Sequence, residues 1–235
     1  MSGRISSEVL AAELHNLDGL ERGPDVVEAL ERVVTSSRTL FAVDGAGLLW
    51  LDASGDVRYL TASDERGRLL ELVQEDLGVG PCVDTLLRDI EIASTDLQGD
   101  PRWPEVGERL ASHRIHAVLG IPIRVGGAAV AALNVFGEGA HEWDESETVA
   151  LRSLATVIET VLAAGLLARR HEQVIEQLQY ALEHRVAVER AIGVLMGRHD
   201  IDPVDAFNRL REVARRERRK AAEVAEDVLE GRLRL

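Results

Sequence analysis

The chain has 235 residues, 46% of them hydrophobic and 29% charged, enough to bury a sizeable core in one large or two small domains. Its longest apolar runs, 118–123 and 128–133, fall far short of the ~20 residues that cross a bilayer, and its N-terminus lacks the apolar core of a signal peptide. A single cysteine excludes an intrachain disulfide and a cysteine-based zinc cluster. We therefore expect a cytoplasmic protein without a membrane partner.

The charge is distributed unevenly along the chain. The formal net charge is −14, yet residues 185–235 carry 12 Lys/Arg against 10 Asp/Glu, so the preceding residues hold a balance of −16. An acidic body with a mildly basic tail indicates that one end meets an anion such as a nucleic acid. A solvated helix face has the same composition, and that alternative stays open.

The first part of the chain alternates helical and strand patterns. Apolar spacing predicts an amphipathic helix over 24–40, and the β-prone runs 47–51 and 57–61 predict a hairpin. Asp64 is placed to cap a helix that ends at Gly78. A short helix follows Pro81, and a candidate strand follows at 91–94.

The next segment completes an α+β pattern. The loop 100–104 leads into a helix that carries Val106 and Leu110. A second hairpin is predicted from the runs 116–123 and 128–136. The order of helix, hairpin, helices, hairpin and helix predicts an antiparallel sheet with helices packed on it.

From Asp144 onward, the pattern predicts a long helical connector and then a small bundle. An apolar stripe with helical spacing runs through Leu151, Leu154, Ile158, Val161 and Gly165, and after a phase change through Ile175, Leu178 and Leu182. The stripe predicts a coiled-coil-like homodimer; alternatively, its first half packs on its own sheet and only 174–186 lies free. Helices that begin at Pro203, after the cap Asp202, and at Ala221 complete a three-helix bundle.

The last quarter of the chain resembles a known family. The sequences RVAVERAIGVLM at 185–196, PVDAFNRLREVA at 203–214 and the pair Arg219-Lys220 closely resemble the ANTAR domain, over roughly residues 174–229. Members are three-helix RNA-binding modules of antitermination regulators. The chain departs from the usual Gln-Ala-Lys-Gly, which is RAIG here at 190–193, and has Arg218 in place of an asparagine.

The resemblance and the residue types together predict an RNA-binding surface. Small residues on a helix leave a dent that a base can approach, and arginines hold phosphates and splayed bases. The predicted contacts, for paired RNA hairpins, are Arg185, Arg190, Ala191, Gly193, Met196, Arg215, Arg216, Arg218, Arg219 and Lys220. The alternatives are close helix packing for Ala191 and Gly193, a core position for Met196 and a solvated face for the arginine run.

The body of the chain resembles a second family. The sequences LGVGPCVD at 77–84, DPRWP at 100–104, GIPI at 120–123 and ALNVF at 132–136 look like the GAF domains that precede ANTAR domains in actinobacterial regulators. The match implies a GAF-like sensor domain over 20–168, an N-terminal segment over 1–19, and a connector with the ANTAR domain over 169–235. GAF domains are antiparallel sheets with helices that commonly bind small ligands or dimerise. The resemblance leaves the ligand and any cofactor unknown.

A small set of body residues is a candidate ligand site. Trp50, Cys82, Asp96 and Arg102 are the residue types that line such a pocket; core packing, capping and loop hydrogen bonding are their alternatives. Cys82 near a helix start is also a candidate redox sensor with a lowered thiol pKa, against the alternative of a small buried hydrophobe. No acidic residue lies at ligand spacing from His113 and His116, so we predict no metal.

These patterns predict a signal-responsive, RNA-binding regulator of transcription antitermination that is not an enzyme. Two other classes stay open, a DNA-binding regulator and a protein-interaction module with a non-catalytic GAF domain. A methionine sulfoxide reductase, a chemistry that some GAF domains perform, needs a resolving thiol as a rule, and a single cysteine argues against it.

Overall fold

The structure, a computed structural model, describes residues 26–52, 55–167 and 173–235, so the predicted N-terminal segment lies outside it. We call the part from Val26 to Leu167 the sheet domain. Its elements are α1 (Val26–Phe41), β1 (Gly45–Leu51), β2 (Val57–Ala62), α2 (Glu65–Leu77), α3 (Pro81–Arg88), β3 (Ile92–Ser94), α4 (Pro104–Leu110), β4 (Ala117–Val125), β5 (Ala128–Gly137) and α5 (Glu145–Leu167).

The five strands form one antiparallel sheet in the order β2-β1-β5-β4-β3. Both predicted hairpins are confirmed: β1 pairs with β2, and β4 pairs with β5. The pairing of β1 with β5 joins the two hairpins in the middle of the sheet. The predicted α+β order is therefore confirmed.

Helices cover both faces of the sheet. Successive side chains of a strand point to opposite faces, and on β1 Leu48 and Trp50 face α1 and α5, whereas Leu49 faces the opposite hydrophobic cluster under α2, α3 and α4. The strands are thus buried on both sides. This explains why their sequences read as nearly continuous apolar runs.

Local capping signals decide where several helices begin and end. The Asp64 side chain accepts a hydrogen bond from the backbone N–H of Gly67 at 2.8 Å, and Gly78 closes α2 in the left-handed conformation with φ of 71°. Asp202 caps the later helix that starts at Pro203 by accepting from the N–H of Asp205 at 2.9 Å. The predicted boundaries at these residues are confirmed.

The apolar stripe of α5 does not form a free dimerisation seam. Leu151, Leu154 and Ile158 are buried in the cluster that α1, α5 and the sheet share, so the predicted pairing of two chains along this half is wrong. By length and composition, Glu145–Leu166 is a candidate membrane span, yet in this fold one face of it packs as a core helix. In the second half of the stripe, Leu182 packs against the same cluster, while the side chains at 175 and 178 lie outside the described residues.

Three helices follow α5, namely α6 (Gln173–His199), α7 (Pro203–Glu217) and α8 (Ala221–Leu229). The second half of α6 packs with α7 and α8 around a common core; we call this unit the bundle. Its fully buried side chains include Ala191, Leu195, Leu210, Val224 and Val228. The predicted three-helix bundle is confirmed, and it also contacts the sheet domain through α7.

Candidate nucleic-acid interface

One side of α7 fastens the bundle to the sheet domain. Phe207 is only 2% exposed and belongs to the hydrophobic cluster under α2, α3 and α4. Arg211 Nε donates to Asp56 Oδ1 at 2.7 Å, and Asn208 Nδ2 donates to the carbonyl of Gly78 at 3.1 Å. We call Phe207, Asn208 and Arg211 the docking face.

Charge pairs reinforce this contact. Burial lowers the pKa of Arg211, while the Asp56 carboxylate beside it opposes that shift, so the guanidinium stays charged. Arg88 on α3 reaches the cap residue Asp202 at 2.7 Å, close to the start of α7. The docking face was not predicted from the sequence. The spacing of Phe207 and Arg211, four residues apart and so on one side of α7, is the sequence feature that indicates it.

Three of the predicted RNA contacts are buried or partly buried within the protein. Ala191 is fully buried in the bundle core, so the predicted exposed dent at this residue is wrong and the helix-packing alternative holds. The Arg185 side chain is 11% exposed and its Nε donates to Glu189 Oε1 at 2.6 Å. Met196 is half-buried against the bundle core. Packing within the protein, rather than contact with RNA, explains the residue types at these three positions.

Two more predicted contacts hold the bundle together. Arg219 pairs with Glu217 at 3.2 Å and with Asp227 at 2.5 Å, and it also lies near Glu223. Lys220 Nζ stands 3.6 Å from the centre of the Tyr180 ring, a cation–π contact. These cations already have partners in the fold.

The remaining predicted contacts are accessible. We call Arg190, Arg215, Arg216 and Arg218 the outer arginines; all four are exposed. Arg216 lies 3.7 Å from Glu217 and Arg215 lies 3.9 Å from Asp56, which are weak surface pairs, and Arg190 and Arg218 have no ion pair among the described residues. A Cβ built on Gly193 meets nothing within 4 Å. Arg198 and Arg209 are also exposed, and neither was among the contacts predicted from the sequence.

Arg218 ends α7 in an unusual backbone conformation. Its φ is 56°, in the left-handed region, and its N–H bonds to the carbonyls of Ala214 and Arg215. Glycine and asparagine adopt this region at low cost, and other residues adopt it with strain. This explains physically why an asparagine suits the position where this chain has arginine.

The candidate ligand residues of the sheet domain do not form one pocket. Trp50 belongs to the hydrophobic cluster under α1 and α5, whereas Cys82 belongs to the cluster on the opposite side of the sheet. Asp96 pairs with His116 Nδ1 at 3.1 Å. Arg102 pairs with Asp100 at 2.7 Å, which lowers the pKa of that carboxyl. These four residues therefore have the alternative roles, namely core packing and hydrogen bonding within loops.

Cys82 belongs to a buried polar cluster. Its thiol has a pKa raised well above the usual value, first because of burial, so the predicted lowered pKa of a redox sensor is wrong. Glu71 accepts a hydrogen bond from Asn134 Nδ2 at 2.8 Å, and burial raises the pKa of Glu71 to about 8. A Cβ on Gly47 or Gly120 would collide with this cluster, so the glycines make room for it.

Comparison with known proteins identifies both parts of the chain. The model of the GAF domain matches residues 25–162, and the model of the ANTAR domain matches residues 176–229. The sequence has no match among the curated proteins.

Solved structures support the fold of the sheet domain. The phycoerythrobilin-bound GAF domain from a cyanobacterial phytochrome superposes with a TM-score of 0.57 at 13% identity, over 70% of this chain and 100% of that one. The free methionine-R-sulfoxide reductase from Neisseria meningitidis, in complex with its substrate, gives 0.55 at 14% identity, over 72% and 96%. A GAF domain from a phosphoenolpyruvate-protein phosphotransferase of Coxiella burnetii gives 0.53 at 22%, over 67% and 94%.

At these identities, the superpositions establish the fold and not an activity. GAF and ANTAR domains are regulatory units, and their order here is that of a sensor followed by an RNA-binding antitermination module. The GAF match covers more than half of the chain, and the ANTAR match covers most of the bundle with the last part of the connector. The chain therefore belongs to the GAF family and carries an ANTAR domain behind its GAF domain.

Proposed function

We propose that this protein is a cytoplasmic, signal-responsive regulator whose ANTAR domain binds paired RNA hairpins and whose GAF domain controls that binding. The observation that carries the proposal is the group of outer arginines on the bundle, exposed and weakly paired or unpaired within the described chain. Exposed arginines that lack strong internal partners are free to neutralise phosphates.

The outer arginines suit an RNA loop because of what surrounds them. Arg190 lies one turn of α6 before Gly193, whose surface is open. An unstacked base can approach the backbone at a glycine, and a neighbouring guanidinium can stack on it or bond to its edge. Arg215, Arg216 and Arg218 lie together at the end of α7 and supply backbone contacts.

We propose that the active species is a homodimer. The connector helices remain the candidate dimer contact, through the part of α6 that precedes the bundle rather than through α5, whose apolar face is occupied. Two bundles on two adjacent hairpins gain affinity through effective concentration, and RNA held in that form is not free to make a terminator stem. A signal that binds one conformation of the sheet domain more tightly shifts the population toward it and so changes the relative position of the two bundles.

The test is RNA binding by the purified full-length protein. Fluorescence anisotropy with a pool of paired hairpins, at several stated salt concentrations, gives the affinity and its salt slope, and unlabelled duplex DNA is the competitor. We expect Arg190→Ala and Arg216→Ala each to weaken binding and to reduce the slope by about 0.7, the value for one phosphate contact on a single strand.

Arg32→Ala is the matched control, because Arg32 is an exposed arginine on α1 of the sheet domain. Its variant should bind like the parent protein. Competition by duplex DNA as strong as by RNA would favour a DNA-binding regulator. Absence of RNA binding by the parent protein would contradict the proposal and favour a protein-interaction module.

A further inference from the structure

The docking face of α7 has an acidic partner on the sheet domain. Asp56 directly precedes β2, and its Oδ1 accepts a hydrogen bond from Arg211 Nε at 2.7 Å. Arg215 Nε lies 3.9 Å from the same oxygen. One carboxylate of the sheet domain therefore faces two arginines of the bundle.

The docking face together with Arg215 has the composition of a surface for single-stranded nucleic acid. Phe207, Arg211 and Arg215 follow each other at intervals of four residues, and Asn208 lies beside them, so all four share one side of α7. Aromatic rings stack on unpaired bases, amides bond to base edges, and guanidinium groups pair with phosphates. The sheet domain covers most of this side, since Phe207 is 2% exposed and the Arg211 side chain is 6% exposed.

The contacts that the sheet domain makes here are of the kinds that an RNA loop makes. The Asp56 carboxylate offers oxygen atoms to a guanidinium, as a phosphate does. The carbonyl of Gly78 accepts from Asn208 Nδ2 at 3.1 Å, as a base carbonyl does. The hydrophobic cluster under α2, α3 and α4 surrounds Phe207 where a stacked base would lie.

Docking and RNA binding exclude each other at these residues. Arg211 Nε and Asn208 Nδ2 already donate to the sheet domain, so neither group is accessible to a phosphate or a base. RNA reaches this side of α7 only after the bundle separates from the sheet domain. The apparent affinity is then reduced by the fraction of molecules that are docked.

We propose that Phe207, Asn208, Arg211 and Arg215 form a second RNA-binding surface, for the unpaired loop of a hairpin, which the docked sheet domain covers with Asp56 in the place of a phosphate. The inference rests on the proposed function, because it assigns a further surface to the same RNA. The other outer arginines are accessible in both arrangements, whereas Arg211 contacts RNA only after separation. A signal that weakens docking therefore raises both the affinity and the number of phosphate contacts.

Fluorescence anisotropy with the pool of paired hairpins, at several stated salt concentrations, tests the surface in the full-length protein. Asp56→Ala removes the partner of Arg211 and should release the bundle. We expect RNA binding about tenfold tighter than that of the parent protein, the worth of one charged hydrogen bond, and a salt slope steeper by about 0.7, one phosphate contact. Asp76→Ala is the matched control, because Asp76 is an exposed carboxylate of α2 that pairs with Arg109 of the sheet domain. It removes the same charge and should leave the slope unchanged.

A double variant separates release of the bundle from contact with RNA. Asp56→Ala and Asp56→Ala/Arg211→Ala both lack the docking pair, so the difference between them measures the contact of Arg211 with RNA. The double variant should return the salt slope to that of the parent protein. Circular dichroism reports whether each variant retains the parent's helices.

A further variant keeps the test decisive if Asp56→Ala alters the hairpin of β1 and β2. Arg88 of the sheet domain pairs with Asp202 at the start of α7, so Arg88→Gln weakens docking while it removes a positive charge. Loss of a positive charge by itself weakens RNA binding, whereas release of the covered surface strengthens it, and we expect tighter binding.

Three results would overturn this inference alone: an Asp56→Ala variant with the affinity and slope of the parent protein, equal slopes of the single and double variants, or weaker RNA binding by Arg88→Gln. Absence of RNA binding by the parent protein and by all these variants would contradict the proposed function, and this inference with it.

Discussion

Two regions of the molecule bury an ionisable side chain and treat it differently. The core under α2 holds Glu71 beside amide and thiol groups, with no cation among the described residues in hydrogen-bonding contact. The docking face holds Arg211 against the carboxylate of Asp56. A buried charge without an opposite charge is unstable, so Glu71 holds its proton and has a pKa of about 8. The pair at the docking face stays ionised because each partner compensates the other.

The two regions should therefore respond to different perturbations. Changes of pH near neutrality act on the core through Glu71. Loss of Asp56 acts on the docking face, because it leaves the buried Arg211 without its ion-pair partner. The outer arginines, which are exposed, respond mainly to salt and to bound anions.

The largest expected effect is the pH dependence of the core. Between about pH 4.5 and pH 8 the folded protein keeps the proton of Glu71 and the unfolded chain releases it, so the free energy of unfolding falls by about 1.4 kcal/mol per pH unit as the pH rises. Across that window the loss is about 5 kcal/mol. Glu71→Gln should remove this dependence, and urea unfolding at a series of pH values measures it.

Asp205→Asn is a suitable control for that series, because Asp205 is an exposed acidic residue outside the core. Its variant should keep the slope of the parent protein. A parent protein with unchanged stability across the window would contradict the assignment of a neutral Glu71.

The second effect concerns the docking face. Arg211→Ala leaves Asp56 with Arg58 at 3.2 Å and Arg215 at 3.9 Å, so we expect a loss of about 2 kcal/mol, the worth of one charged hydrogen bond. All three tryptophans lie in the sheet domain, so their fluorescence follows that domain during urea unfolding while circular dichroism follows all helices. The variant should separate the two transitions, with the bundle unfolding first.

Arg216→Ala is the matched control for the docking face, since Arg216 is exposed on the same helix and only weakly paired. It should change the unfolding midpoint little. If the fluorescence and circular dichroism transitions of Arg211→Ala coincide at the midpoint of the parent protein, the docking pair contributes nothing to the contact between the domains.

The third effect separates the two kinds of arginine in the bundle. If the proposed RNA surface is correct, Arg216→Ala should reduce the salt slope of hairpin binding. Arg219→Ala should mainly lower the stability of the bundle, because Arg219 pairs with Asp227. Anisotropy titrations and urea unfolding of both variants give the comparison. A larger reduction of the salt slope by Arg219→Ala than by Arg216→Ala would indicate that the RNA binds the other side of the bundle.

The smallest effect concerns the backbone at Arg218. Arg218→Asn suits the left-handed conformation better and should raise the free energy of unfolding by about 0.5 kcal/mol. Thermal unfolding of the variant beside Arg209→Asn, an exposed arginine within α7, measures the gain. Arg209→Asn should be slightly destabilising, because asparagine is a weaker helix former than arginine.

Most helix and strand positions were predictable because their signals are local. Asp64 and Gly78 mark the ends of α2 by capping chemistry, and apolar periodicity marks the hairpins and the amphipathic faces. The candidate sites were less predictable. Ten residues were predicted to contact RNA. Residue type alone did not separate the exposed Arg190 from the partly buried Arg185, which lies about one and a half turns earlier on the same helix.

The sequence by itself determined the two domain types, the order of the helices and strands, and the positive tail, because motifs, caps and periodicity are properties of neighbouring residues. Only the tertiary structure decided that α5 covers its own sheet and that Phe207 and Arg211 dock the bundle. It also decided that Glu71 has no cation in contact within the described part of the chain, and that Arg185 is partly buried and paired with Glu189. Burial and pairing depend on residues distant in the chain, and their energies exist only once those residues are brought together.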